Sequence, residues 1–276
     1  HAHDLNPVAV MINKAMIEIP PRFSGMAPVN PDARTGKMSQ AWSRAQGLAE
    51  DVRYYGEWMK QEAYKRIGHL YPKVKVPREQ GGGETTVIAW IWARTVKCPN
   101  PACGCEMPLV HSFTLSKKKG NNAWIEPIYS DKHLSFKVHH DGKPVLESTI
   151  GRKGAICACC GAPVNYPYIR TESVEERMGA VMMAVVAEGK RGRIYLDVDY
   201  EQNAAANVEK PENYPQGELA FYPGHLNTNV YGLNEFHKLF TNRQLTALTT
   251  FSALVAEAQQ KAEADAIAAG MANDHL

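Results

Sequence analysis

Apolar residues follow a helical period near both ends of this chain and a strand-like period in its middle, so the changes of period mark its parts. Asn6 and Pro7 open the first helix, because asparagine caps free backbone donors and proline suits the first helical position. Val8, Met11, Ile12, Ala15 and Ile19 then recur at helical spacing and predict an amphipathic helix over 7–18, ended by Pro20-Pro21. Residues 22–36 carry Gly25, Pro28, Pro31 and Gly36 and read as a loop. A longer helix is predicted from Ser39 to Leu70, with Leu48, Val52, Tyr55, Met59, Ala63 and Ile67 on one face. Pro72, Pro77 and Gly81-Gly82-Gly83 form a breaker-rich connector, read as a hinge and a domain boundary. No Lys-Ser/Thr follows the glycines and no helix opens behind them, which excludes a phosphate loop.

Beyond the connector the texture is β. Strands are predicted over 86–96, 108–116, 122–129 and 133–140, with turns at Gly120-Asn121-Asn122 and His140-Asp141-Gly142. Residues 180–187 and 193–198 read as a hairpin turning through Glu188–Gly192, followed by a short helix over 200–209 and a Pro/Gly-rich surface loop over 211–232. A last helix starts at Thr241 and runs past Lys261, with Leu245, Leu248, Phe251, Leu254 and Ala258 facing inward. No internal repeat is present.

The chemistry concentrates in two cysteine runs that bracket the β region, Cys98-Pro-Asn-Pro-Ala-Cys103-Gly104 and Cys157-Ala-Cys159-Cys160-Gly161. Each brings two sulfurs close in sequence with a glycine directly after the second, the build of a metal knuckle in which the backbone turns tightly. Two knuckles supply the thiolate shell of a closed, structural zinc site, with Cys98, Cys103, Cys157 and Cys160 as ligands and Cys105 and Cys159 as spares. Cys160 is preferred to Cys159 because a two-residue gap is the commoner spacing and Gly161 follows it. His111, His139 and His140 are alternative ligands, though lone histidines in strands more often serve other ends. A short β insert has little core of its own, and metal binding supplies folding energy there.

Composition narrows the classes. The chain of 276 residues carries 31 Lys and Arg against 29 Asp and Glu, a net charge of +2, so any basic surface has to be local. Such groups lie at Lys117-Lys118-Lys119, Arg152-Lys153, Lys190-Arg191 and Arg193, with Trp124 near the first, a composition that can hold phosphates and stack a base. No apolar run reaches the roughly 20 residues needed to span a bilayer, and six cysteines without a signal peptide point to a reducing, cytoplasmic setting. The chain opens at His1 and stops in an alanine-rich helical run, which reads as an internal segment.

Several stretches together resemble one family. They are Asp4-Leu-Asn-Pro-Val-Ala-Val with Ile17-Glu-Ile-Pro-Pro-Arg-Phe23, Asp51-Val-Arg-Tyr-Tyr-Gly through Arg66-Ile-Gly-His-Leu-Tyr-Pro72, Thr86 to Leu109, Leu115-Ser-Lys-Lys-Lys-Gly120, and Leu239 to Phe251. In these the chain is similar to the large bacterial and archaeal adenine-specific DNA methylases that carry an internal zinc ribbon. The resemblance implies an α/β fold, α+β for the residues present. It pictures a partial Rossmann-like methyltransferase body (1–80 and 201–276) with an inserted antiparallel β zinc-ribbon domain (81–200). It also implies a role in S-adenosylmethionine-dependent DNA methylation within a restriction or phage-defence system. DNA, the rest of the methyltransferase chain and defence subunits would be partners. Asp4 matches the position expected at the cofactor ribose, with Asn6 adjoining it. The family's glycine-rich cofactor loop and its Asp-Pro-Pro-Tyr signature have no counterpart in this sequence. Methyl transfer needs an adenine amine freed from pairing and held by carbonyl and side-chain acceptors, so this segment alone is expected to be inactive.

Overall fold

The computed structural model describes residues 5–36, 41–190, 192–222, 224 and 227–271. The chain divides into two compact units, one formed by residues 1–68 with 247–276 and a second spanning 69–246.

Helices make up the described part of the first unit. Asn6 caps α1 (Pro7–Asn13), its side-chain oxygen accepting from the Val8 N–H at 2.9 Å. Pro20-Pro21 does not end the helical path as expected: a π-helical turn, Lys14–Glu18, leads into α2 (Ile19–Arg22), whose first turn holds the prolines. Proline lacks an N–H and crowds the carbonyl four residues back, and starting a new helix there avoids both penalties. The predicted apolar face is not buried: Val8, Met11, Ile12 and Ile19 all remain exposed.

A short helix, α3 (Pro31–Gly36), interrupts the expected loop, and α4 (Gln46–Ile67) is shorter at its start than predicted. Asp51 on α4 holds the segment before α3, accepting from the Val29 N–H and from both the backbone and side-chain N–H of Asn30 at 2.8–3.0 Å. Gly47 lies so close to this segment that a Cβ would sit 2.2 Å from the Met26 carbonyl oxygen. Tyr55, Ala63 and Ile67 are buried as the spacing implied, whereas Val52 is exposed.

The second unit contains the strands, and every strand pairing among the described residues is antiparallel. In chain order they are β1 (Val74–Lys75), β2 (Glu84–Thr85), β3 (Val87–Lys97), β4 (Glu106–Leu109), β5 (Thr114–Lys118), β6 (Asn121–Ser130), β7 (His133–His139), β8 (Ile150–Gly151), β9 (Gly154–Ile156), β10 (Pro163–Asn165), β11 (Gly179–Gly189) and β12 (Gly192–Leu196). Two short helices punctuate this unit, α5 (Tyr166–Val174) before β11 and α6 (Tyr200–Ala206) after β12, and the long α7 (Asn242–Ala268) begins at its exit. The glycines Gly81-Gly82-Gly83 all have positive φ and belong to the connection closing the β1–β2 hairpin, inside this unit.

β12-β11-β3-β4 form one sheet and β5-β6-β7 a second. Their facing sides enclose a core of Ala93, Met183 and Ala184 with Phe113, Ile125, Leu134, Phe136 and Val138. β7 alternates as a half-buried strand should, with Leu134, Phe136 and Val138 inward. β11 is instead buried along most of its length, because Met182, Val185 and Ala187 on its other face join Val74 and Leu196 in a further cluster. That explains its nearly continuous apolar run. The strand expected over 108–116 is two strands in different sheets. The chain crosses between them at 110–113, where fully buried Phe113 enters the core and Thr149 accepts from the Val110 N–H at 2.8 Å and donates to the Pro108 carbonyl at 2.6 Å.

Residues 200–209 shorten to α6, whose buried Gln202 accepts from the Trp90 indole N–H at 2.9 Å and donates to the carbonyls of Pro72 and Lys73. In α7, Leu245, Leu254 and Ala258 are buried, but Leu248 and Phe251 are exposed, contrary to the predicted face. No helix among the described residues is long and apolar enough to cross a membrane. The fold is thus mixed α/β with antiparallel sheets.

Candidate metal centre

Both cysteine runs are the tips of hairpins. Pairing of Lys97 with Glu106 at the end of β3 and the start of β4 sets Cys98 beside Cys105, and the Cys98 N–H donates to the Cys105 carbonyl at 2.9 Å. Within the tip, the N–H groups of Cys103 and Gly104 both donate to the Asn100 carbonyl, turning the chain back. The second tip joins β9 to β10. There the Cys157 N–H donates to the Ala162 carbonyl and the Gly161 N–H to the Cys157 carbonyl. Gly104 and Gly161 have φ of 62° and 76°, the left-handed conformation that gives glycine its place after each second cysteine.

These tips bring the sulfurs of Cys98, Cys103, Cys157 and Cys160 all within 4.8 Å of one another. Cys98 and Cys160 are 3.8 Å apart and Cys103 and Cys157 are 4.0 Å apart. A tetrahedral zinc with Zn–S bonds of about 2.3 Å requires sulfur–sulfur edges of about 3.8 Å. The four cysteines therefore can hold a metal ion, and their donor chemistry and edge lengths fit zinc. Cys103, Cys105 and Cys159 form an overlapping group, but its Cys105–Cys159 separation is only 2.8 Å. Two sulfurs that close would squeeze the S–Zn–S angle to about 75°, far from tetrahedral, so distance separates the ligand set from the two remaining cysteines. No histidine joins either group among the described residues. His139 stacks on Trp124 and pairs with Glu126, and His140 lies against Gln80.

The electrostatics fit a cation. Cys98, Cys103, Cys105 and Cys157 are buried among Val96, Met107, Ala155, Val164 and Ile169. Burial pushes the Cys98 and Cys157 thiols up, a hydrogen bond with Cys159 pushes Cys105 up to about 12, and the Cys105 backbone N–H draws Cys103 down to about 6. Thiols packed this closely oppose one another's ionisation, and a bound metal removes the opposition by replacing their protons. Tyr129 packs against the cluster with its hydroxyl buried and without a protein hydrogen-bond partner. Burial and the nearby cysteine charge both push its pKa up. Asn100, whose amide also reaches the Cys160 sulfur at 3.8 Å, was legible as a turn residue between Pro99 and Pro101. Tyr129 carries no comparable local signal.

The basic groups are partly assembled. Lys117 and Lys118 lie exposed on β5 opposite Asn122 and Asn121, and exposed Lys119 follows in the turn. The Asn121 side chain donates to the Arg193 carbonyl at 2.7 Å, joining this end of the β5–β6 hairpin to the β11–β12 hairpin, which carries Lys190 in its turn and Arg193 on β12. Arg191 lies outside the described residues. Trp124 is not available to stack a base, contrary to expectation. It is 9 % exposed, one ring face is covered by His139, and its N–H donates to the Asp141 carbonyl.

Of the two cofactor candidates, only Asn6 belongs to the described residues. Asp4 lies outside the described residues, and Asn6 is exposed with its side-chain oxygen engaged in the helix cap. An open groove of about 1110 Å³ elsewhere in the second unit is lined by Trp92, Arg94, Tyr231, His237, Lys238 and Phe240, none of which the sequence marked as a site residue, although Trp92, Arg94 and Phe240 lie in stretches that carry the resemblance. Comparison of the chain with protein-family models, with curated proteins and with solved structures returned no match.

Proposed function

We propose that this chain is the zinc-bearing segment of a DNA adenine methyltransferase, and that residues 69–246 position DNA while methyl transfer is performed by parts of the protein outside it. The observation that carries the zinc assignment is the pair of 3.8 Å and 4.0 Å sulfur edges contributed by two hairpin tips. Four protein thiolates fill a tetrahedral shell and leave no position for substrate, so zinc here acts as a clasp and not as a Lewis acid. The methylase reading rests on the resemblance of Thr86–Leu109 and the other stretches quoted above. The DNA reading is supported by the meeting of the two hairpins that carry Lys117, Lys118, Lys119, Lys190 and Arg193. S-Adenosylmethionine would supply the methyl group in the complete protein. With Asn6 used as a cap, no step of that transfer is assigned to this chain.

Metal analysis of purified protein, paired with DNA titrations at several salt concentrations, tests both halves. One zinc per chain and salt-dependent DNA binding that weakens when Lys117, Lys118 and Lys119 are reversed in charge are expected. Zinc without DNA binding favours the second reading, a zinc-stapled structural module, to which the burial of Trp124 lends weight.

A further inference from the structure

Two cysteines remain once the metal shell is complete. Their sulfurs are 2.8 Å apart, nearer to each other than Cys98 is to Cys160 or Cys103 to Cys157. A disulfide bond is about 2.05 Å long, so Cys105 and Cys159 need approach by less than an ångström, while the 3.8 Å and 4.0 Å ligand pairs need more than twice that movement. The pair is also asymmetric, for Cys105 is buried and Cys159 is exposed. One sulfur can meet an oxidant from solution while the other waits beside it.

We propose, resting on the zinc assignment above, that Cys105 and Cys159 are a metal-free redox pair that closes to a disulfide when a peroxide oxidises Cys159. The Cys159 sulfur attacks one peroxide oxygen, the O–O bond breaks, the sulfur becomes a sulfenic acid and the other oxygen leaves as water. The Cys105 sulfur then attacks the Cys159 sulfur. An S–S bond forms, the S–O bond breaks, and the departing hydroxide takes the Cys105 proton as a second water. Two thiols and one hydrogen peroxide thus give one disulfide and two waters. The new bond ties the β3–β4 tip to the β9–β10 tip, the same two elements the metal joins, and so gives the hairpins a second staple.

The test treats the whole zinc-loaded chain with hydrogen peroxide, blocks remaining thiols, and reads zinc content and digested peptides by mass spectrometry. The expected product is one cross-linked peptide pair containing Cys105 and Cys159, lighter by about 2 Da for the two hydrogens lost, with zinc retained. Cys159→Ser, at an exposed position, should keep its zinc and give no cross-link to Cys105. A bridge to Cys98, Cys103, Cys157 or Cys160 with zinc release would overturn the proposal. So would two zinc ions per untreated chain, or Cys105 and Cys159 both recovered as free thiols. Untreated protein that binds no zinc but still forms the Cys105–Cys159 bridge would sink the metal assignment and leave the redox pair standing.

Discussion

Removing the metal should loosen one end of the second unit before the rest. β8, β9 and β10 contain 2, 3 and 3 residues, too few to hold a sheet without outside support. Their support is the cysteine cluster and the packing of Ala155, Val164 and Ile169 onto Val96 and Met107. β3 and β11, by contrast, run for 11 residues each and share the Phe113–Ile125 core. Zinc present at about a hundred times its Kd stabilises the fold that binds it by about 2.7 kcal/mol. For a unit the size of residues 69–246, each kcal/mol moves Tm by about 2–4 °C. Chelation should therefore lower Tm by about 5–11 °C. Calorimetry with and without a zinc chelator measures the shift, and hydrogen exchange read by mass spectrometry locates it. Peptides covering 98–105 and 150–174 should lose protection first, while those covering β6 and β11 keep theirs. Unchanged Tm and exchange in protein shown to have lost its metal would refute the argument, as would loss of protection spread evenly over the unit.

Other expectations follow from individual contacts. Gln202→Leu removes the acceptor of the Trp90 N–H and the donor to Pro72 and Lys73; leaving such buried groups unpaired should cost about 1–3 kcal/mol in urea denaturation. Replacing Lys117, Lys118 and Lys119 with glutamine should make the slope of log K against log salt shallower by about 2–3 in DNA binding if each contacts a phosphate; an unchanged slope rejects those contacts. Glu172 is held below the usual carboxylate range, first by its hydrogen bonds with Arg177. Its folded pKa lies below its unfolded one, so its contribution is full above the unfolded value and fades as pH falls through the folded one. Glu172→Gln should accordingly flatten the acid side of the Tm–pH curve, and an unaltered curve would count against the pairing. Gly47→Ala should destabilise the first unit, because the added carbon meets the Met26 carbonyl at 2.2 Å; an unchanged Tm would show that the segment can move aside.

Local order was readable where a residue acts on its immediate neighbours. Asn6-Pro7 announced a capped helix, period-2 alternation announced β7, and glycine after the second cysteine announced each knuckle, since all three depend on backbone geometry within a few residues. The same reasoning applies to α5, whose Asn165 cap accepts from the Tyr168 N–H with Pro167 in the first turn. Which residues meet across the chain was another matter. Hydrophobic period shows that a face is apolar but not whether anything covers it, so Val8 and Phe251 read like Leu254 and yet lie exposed. Trp124 next to three lysines looked like a stacking residue until β7 laid His139 against its ring. Sequence alone thus determined the knuckles, the longer strands β3, β6, β7, β11 and β12, and the four sulfurs most suited to a metal, but not the break between β4 and β5 or the short β8, β9 and β10. Only the tertiary structure decided that Cys105 faces Cys159, that Tyr129 reaches the cluster, and that two basic hairpins adjoin, because each depends on the register between strands far apart in the chain.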